Sequence, residues 1–170
     1  MIREAIENDL TNILEIYNDA ILNTTSVYDY NPHTIYDRKQ WYEKKLQEGY
    51  PILVYEENNK VIGFATFGPF RAWPAYKYSV EHSIYVHKIY RNKGIGILLA
   101  KEVIRIANER EFATLVAGID EANEISIKMH EKLGFKYSGT ITKAGYKFGK
   151  WLNLSFYQLE LKGPKNPIES

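Results

Sequence analysis

Cysteine is absent from the 170 residues. Its absence excludes disulfides, thiolate nucleophiles and cysteine metal ligands, and suits a reducing cytoplasm. No apolar run is long enough to span a bilayer. The opening Met1-Ile2-Arg3-Glu4-Ala5-Ile6-Glu7 lacks the long apolar stretch of a secretory signal. Neither sign of charge dominates: 22 Lys and Arg stand against 21 Asp and Glu, a formal net charge of +1. That balance gives no electrostatic reason to expect nucleic acid or an anionic membrane as partner. The four histidines show no metal-ligand spacing, so no metal is expected. Repeats, low-complexity tracts and internal linkers are also missing.

What is present is ordinary globular material, 45% hydrophobic and 25% charged. We expect one domain over residues 1–161, with 162–170 a flexible tail. The 14 tyrosines suit surface and core packing, or a binding or subunit surface. Leu10, Ile13, Leu14, Tyr17 and Ile21 recur at helical spacing, with Asn8 as candidate N-cap. A second helix is expected from about Asp37 to Glu48, ending at Gly49. The polar loop Asn23–Tyr28 between them could carry specificity. Strands are expected at Ile52–Tyr55 and Val61–Phe67, with a hairpin turn at Glu57–Lys60. Further strands are read at Tyr78–Val86, Ala113–Ile119, Phe135–Thr142 and Trp151–Leu161. Helices are read from Ile97 to about Arg110 and from Glu124 to Leu133, the latter stopped by Gly134. The order predicts a mixed α/β sheet with helices on both faces.

Arg91-Asn92-Lys93-Gly94-Ile95-Gly96 joins a strand to an amphipathic helix. Glycine lets backbone approach an anion closely. First-turn N–H groups have no helical partner, and the helix dipole adds positive potential. The turn therefore suits a phosphate, though alone it also suits a solvated helix start.

This turn, its flanking strand and helix, Asn123-x-x-Ser126 and Lys132-Leu133-Gly134-Phe135 resemble the GNAT superfamily of acetyl-CoA N-acetyltransferases. Three further segments resemble its phosphinothricin and methionine sulfoximine (or sulfone) branch: Asn23-Thr24-Thr25, Gly49–Val54 and Ser79–Val86. Gly145–Trp151 adds a fourth. The similarity covers roughly residues 1–161. Phe148 stands where phosphinothricin enzymes usually carry histidine and the methionine sulfoximine type carries phenylalanine. The loop Val27-Tyr28-Asp29-Tyr30 departs from the phosphinothricin pattern too. Both differences point away from phosphinothricin as preferred acceptor.

The resemblance implies a central mixed, mostly antiparallel sheet flanked by helices. It implies that Arg91, Asn92, Lys93, Gly94, Ile95, Gly96 and Ile97 hold the coenzyme A pyrophosphate, mainly through backbone N–H groups. The Ile84-Tyr85-Val86 strand would splay from its neighbour and run beside the pantetheine arm, an N–H near Val86 holding the thioester oxygen. Asn123 and Ser126 would add cofactor contacts. Glu81 becomes the general base, because an α-ammonium must lose a proton before it attacks a thioester; the residues alone would also allow a solvated strand-edge charge. Strand alternation puts Glu81, Ser83 and Tyr85 on one face and His82 and Ile84 on the other. His82 reads as structural or a substrate-loop contact. His87 closes the strand near the cofactor, and His33 has no expected role. His130 sits where many relatives place a tyrosine that protonates the leaving thiolate; it could donate that proton or only pack on the cofactor. Arg71 could grip a substrate carboxylate as a two-point fork, with Lys77 and Lys147 as secondary cations. Tyr28, Phe70, Trp73 and Phe148 could wall a small apolar pocket. The expected reaction is direct acetyl transfer from acetyl-CoA to the α-amine of a small amino acid, in a cytoplasmic homodimer. Peptide N-termini as acceptors, or a non-catalytic acyl-CoA-binding module, are the alternatives.

Overall fold

The computed structural model describes residues 1–170. Seven strands form one sheet in the order β1-β2-β3-β4-β5-β7-β6. They are β1 (Ile2–Glu4), β2 (Ile52–Glu57), β3 (Lys60–Pro69), β4 (Ser79–Val86), β5 (Thr114–Asp120), β6 (Lys136–Lys147) and β7 (Lys150–Glu160). The helices are α1 (Leu10–Asn23), α2 (Ile35–Glu48), α3 (Ile95–Glu109) and α4 (Glu124–Lys132). Of the strand pairs with a defined register, only β4–β5 is parallel. The mixed, mostly antiparallel α/β reading holds. Two compact units divide the chain: Met1–Phe67 with Ser83–Ala100, and Gly68–His82 with Lys101–Ser170.

In the first unit β1, β2 and β3 form an antiparallel meander, with Ile2 opposite Tyr55 and Ile52 opposite Thr66. Asn58 and Asn59 both take positive φ, the backbone of a tight hairpin turn, as the sequence led us to expect. Leu10, Ile13 and Ile16 of α1 bury against Ile52, Val54, Val61 and Phe64. Each such side chain contributes roughly 1.5–3 kcal/mol by leaving water. Gly63 on β3 has a steric reason. A Cβ there would meet Ile95 Cγ2 and Leu99 Cδ1 of α3 at 3.2 Å, so its absence lets the helix lie close.

The expected cap of α1 is displaced by one residue. Asn8 falls inside a short 3-10 turn, Glu7–Asp9, and Asp9 occupies the cap position. The Asp9 carboxylate accepts from the Ile6 N–H (2.8 Å) and from both Arg3 Nη atoms (2.7 and 3.0 Å). That fork fixes where the first helix starts. α2 begins at Ile35, two residues before the expected start, because Thr34 and Asp37 form a reciprocal capping box. It ends at Gly49 with φ 77°, a left-handed stop.

In the second unit β7 pairs antiparallel with β5, from Thr114 opposite Glu160 to Asp120 opposite Leu154, and with β6 on its other side. β6 runs to Lys147, five residues beyond the expected end. It is exposed along most of its length and carries two register shifts, so it lacks clean alternation. Phe148 and Gly149, with φ 54° and 73°, make the two-residue turn into β7. Past β7 the chain stays bonded: Lys162 N–H to Asn108 Oδ1 (3.1 Å), Gly163 N–H to Phe112 C=O (3.2 Å) and Ile168 N–H to the Tyr78 hydroxyl (3.0 Å). No helix is long and apolar enough to cross a membrane.

Candidate active site

The glycine turn follows β4 through a single 3-10 turn, Lys88–Tyr90. Asn92 (φ 61°) and Gly94 (φ 82°) bend the backbone, and nothing lies within 4 Å of where a Gly94 Cβ would stand. α3 starts at Ile95 rather than Ile97, and Leu98 N–H donates to Gly94 C=O at 3.2 Å. The amides of Ile95, Gly96 and Ile97, ahead of that bond, have no acceptor within the helix. Unpaired amides on an open, left-handed turn at the head of a 15-residue helix fit a pyrophosphate. The side chains do other work. Ile95 is buried beside Gly63. Arg91 donates to Val86 C=O and to Asp19 Oδ2, each at 3.1 Å, tying the end of β4 to α1. Lys93 Nζ lies 5.3 Å over the Tyr90 ring.

β4 pairs with β5 through Ser79–Thr114, Val80–Leu115 and Glu81–Val116, then runs on from His82 to Val86 past the last pair. Glu81 stands at that point, half-buried, with no hydrogen bond or ion pair. Its Oε2 would be 3.6 Å from a Cβ on Gly118, beside Leu154 and Phe156. Glycine at 118 leaves the carboxyl its room. Burial raises the Glu81 pKa above the usual carboxylate range, while the Arg71 charge works in the opposite direction. A carboxyl so placed can take and return a proton.

His82, on the opposite strand face, joins His130 of α4. The rings lie nearly parallel, 7° apart, and meet edge to edge with centroids 5.1 Å and Nε2 atoms 2.9 Å apart, and Phe135 packs edge-on against both. The tautomers follow from the partners. His130 Nδ1 lies 2.7 Å from Ser126 C=O, which only accepts, so Nδ1 carries hydrogen. Burial lowers the pKa of both rings, so both are neutral. His130 Nε2 then accepts, and His82 Nε2–H donates. Buried His82 Nδ1 is left with no partner. Asn123 caps α4 by accepting from Ser126 N–H at 3.2 Å, which leaves its NH2 group for a ligand.

On the loop ahead of β4, Phe70 sits edge-on to Tyr76 and Phe156 (6.1 and 6.3 Å), and Arg71 lies 5.2 Å over the Phe70 ring. Trp73 is exposed. Lys77 Nζ lies over Tyr78 and bonds Ser170 O at 3.2 Å. Phe148 is exposed at the β6–β7 turn, beneath Lys147. Tyr28 belongs to the loop after α1 in the first unit. Among these residues the structure brings Phe70 and Arg71 together, and sets Arg71 to act on Glu81.

The sequence reading missed a cavity of about 490 Å³ in the first unit. Tyr17, Arg38, Trp41, Lys45, Thr66 and Tyr85 line it, and Ser83 of β4 opens on it too. The Arg38 guanidinium lies between the Tyr17 and Trp41 rings, 4.1 and 4.5 Å from their centroids. It donates to His33 Nδ1 at 3.0 Å, and His33 Nε2–H in turn meets Asp29 at 2.9 Å. Asn18 grips the His33 backbone at both N–H and C=O (2.8 and 2.9 Å), so the loop is pinned to α1. No sequence signal marked it: Arg38 and Lys45 flank Trp41 on one face of α2, a pattern that a solvated helix face also shows.

The model of the Acetyltransferase (GNAT) family matches residues 11–135. An L-methionine sulfoximine/L-methionine sulfone acetyltransferase of Pseudomonas paraeruginosa is 40% identical over 161 residues, covering 94% of each chain. The crystal structure of an N-acetyltransferase from Staphylococcus aureus Mu50 superposes with TM-score 0.95 at 56% identity, over 95% of this chain and 98% of that one. A GNAT phosphinothricin acetyltransferase from Sinorhizobium meliloti, solved in complex with acetyl-CoA, gives TM-score 0.94 at 34% identity, over 98% and 91%. With the phosphate-ready turn and unpaired carboxyl described above, these likenesses mean that the chain belongs to the GNAT family of acetyltransferases, which take their acyl group from acetyl-CoA.

Proposed function

We propose that this chain acetylates the α-amine of a small amino acid whose side chain ends in a polar, oxidised group, as the methionine sulfoximine and sulfone named for its relative do. When bound, acetyl-CoA supplies an activated acyl thioester. The turn Arg91–Gly96 holds its pyrophosphate, chiefly through main-chain N–H groups. The backbone of Ile84, Tyr85 and Val86 would hold the pantetheine arm, and the Asn123 amide would add a cofactor contact. Glu81 takes the proton from the acceptor ammonium, directly or through one water. Its burial raises its proton affinity toward what the task needs, and Arg71 keeps it from rising so far that the base is lost. Tyr28, Phe70, Arg71, Trp73, Lys77 and Phe148 are the substrate-side contacts of this reading, with Arg71 on the α-carboxylate.

His130 is assigned to ordering α4 rather than to acid duty, because both its nitrogens are engaged, by Ser126 and His82. The lack of cysteine supports a reducing cytoplasm. Exposed Tyr146, Phe148 and Trp151 on the β6–β7 hairpin support a homodimer.

The observation that carries the reading is Glu81, a half-buried carboxyl with no partner where the β4–β5 ladder stops. Glu81→Gln preserves shape and removes the base. Its turnover should fall at least ~10-fold, with acetyl-CoA binding by calorimetry unchanged. Coenzyme A release is followed as free thiol, with methionine sulfone and sulfoximine as acceptors. Wild-type turnover in the variant overturns the assignment.

A further inference from the structure

The segment between β4 and α3 is basic, and two carboxylates of α1 receive it. Glu15 and Asp19 stand four residues apart, so they share one face of the helix. Glu15 Oε1 lies 3.2 Å from His87 Nε2. His87 Nδ1 accepts from the Ile89 N–H at 3.4 Å, so Nε2 carries the hydrogen that Glu15 takes. Asp19 takes two cations. Its Oδ2 accepts from Arg91 at 3.1 Å, and Lys88 Nζ lies 3.7 Å from its Oδ1. The Asn23 amide donates to the same Oδ1 at 2.9 Å, so the carboxylate is steadied from its own helix. All of these residues belong to the first unit.

Arg91 opens the turn read above as the pyrophosphate cradle. Its Nε–H is committed to Val86 C=O at the end of β4, and one Nη to Asp19. The Asp19 carboxylate therefore already answers the Arg91 charge. Lys88 shares that carboxylate, and Lys93 lies over the Tyr90 ring. What the turn offers a diphosphate is then its main chain, the N–H groups of Ile95, Gly96 and Ile97. A carboxylate behind an anion site also weakens it by like-charge repulsion. The Arg91 side chain is 40% exposed against 16% for Asp19, so the arginine is the partner with freedom to move.

We infer that Asp19 is a positioning residue for the cofactor turn: it holds Arg91 against α1 and the end of β4, so that main-chain amides rather than the Arg91 charge grip the diphosphate of coenzyme A. The inference rests on the reading of Arg91–Gly96 as the pyrophosphate turn and adds to it a residue of α1 that limits the grip. An Arg91 freed from Asp19 would turn to the next anion within reach, which in the loaded protein is the diphosphate. Asp19 thus lowers cofactor affinity while fixing the strand end beside which the pantetheine arm is read to run.

The test is a double-mutant cycle on the full chain, read by calorimetry with coenzyme A. Asp19→Asn keeps an oxygen for the Asn23 amide and removes the charge. It should tighten binding by at least ~3-fold in dilute buffer, and the gain should vanish by about 0.5 M salt, because exposed charges are screened. In an Arg91→Gln background the same substitution should change the affinity by less than about 1.5-fold. An equal gain in both backgrounds, or looser binding at every salt concentration, overturns the proposal; the second is what a merely structural Asp19 would give. Should Asp19→Asn fail to fold, Arg91→Gln decides through the salt dependence of binding. A slope equal to that of the wild type supports the proposal, and a shallower slope places Arg91 on the phosphates and overturns it. A wild-type chain that binds no coenzyme A overturns the reading of the turn and the proposal with it. Binding with no thiol released from any acceptor overturns the acetyltransferase reading and leaves the role of Asp19 standing.

Discussion

The His82–His130 pair makes stability depend on pH in a calculable way. Burial, with His130 alongside, lowers the His82 pKa to about 3, and burial lowers that of His130 as well. In the unfolded chain both return to about 6.5. A group whose folded pKa is depressed contributes fully above its unfolded pKa and loses that contribution as pH falls toward the folded value. At pH 5 the unfolded His82 lies about 1.5 units below its pKa. At about 1.4 kcal/mol per unit, the folded state loses roughly 2 kcal/mol from this ring. His130 adds a loss of the same sign.

His82→Gln removes the titration while keeping an N–H2 group able to donate to His130 Nε2. Urea unfolding from pH 7.5 to pH 5 should show the wild type losing about 2 kcal/mol more than the variant. Other titrating groups are common to both chains and cancel in the difference. Parallel stability curves would refute the neutral-pair assignment, and with it the tautomers deduced from the Ser126 carbonyl.

Two further perturbations test the electrostatics elsewhere. Arg71→Gln removes the charge that holds the Glu81 pKa down, so the acid limb of kcat/KM should move to higher pH; a pH–rate profile with an unmoved limb would separate the two residues. Asp9→Asn breaks the Arg3 fork and should cost about 2 kcal/mol in urea unfolding at pH 7. Burial works to raise the Asp9 pKa, but the Arg3 and Ile6 hydrogen bonds hold it below the usual range, so that contribution is present above about 3.9 and lost as pH falls through the folded value.

The elements that could be read from sequence are those with a simple period. The α1 stripe of Leu10, Ile13 and Tyr17 faces a sheet, and the Asn58-Asn59 turn has the one backbone that closes a two-residue hairpin. Their local chemistry and tertiary setting agree. The misplaced boundaries have long-range causes. Asn8 is an adequate cap by type, but the Asp9 carboxylate is claimed by Arg3 on β1, and that pairing decides where helix geometry begins. β6 is long because its pairing with β7 continues past the last recognisable alternation. Among site residues, Glu81 was singled out through the family resemblance; on its own it also suited a solvated strand edge, and its burial without a partner comes from the fold. Phe148 was expected beside the substrate, yet as half of a hairpin turn its exposure within one chain follows from the turn's geometry.

Arg38 was not legible, and the comparison with His82 shows why it matters. Both are buried basic side chains with an unpartnered nitrogen. A histidine can answer burial by giving up its proton; His82 does so, and its orphan nitrogen becomes a lone pair whose cost is one missing hydrogen bond. An arginine has no such exit, since its pKa lies far above any pH at which the chain is folded. Burial works to lower the Arg38 pKa, but a guanidinium keeps its charge, which must be met by something. Tyr17, Trp41 and His33 meet it, through two ring faces and hydrogen bonds to His33 Nδ1 and to Tyr17. Its Nε–H alone is left without a partner. In sequence Arg38 is one of 22 basic residues on a chain of nearly balanced charge, and only its burial distinguishes it from a solvated helix cation. The histidine pair sheds its charge, whereas this guanidinium keeps its own and is held by the rings and acceptors of its unit, each site leaving one buried nitrogen unanswered.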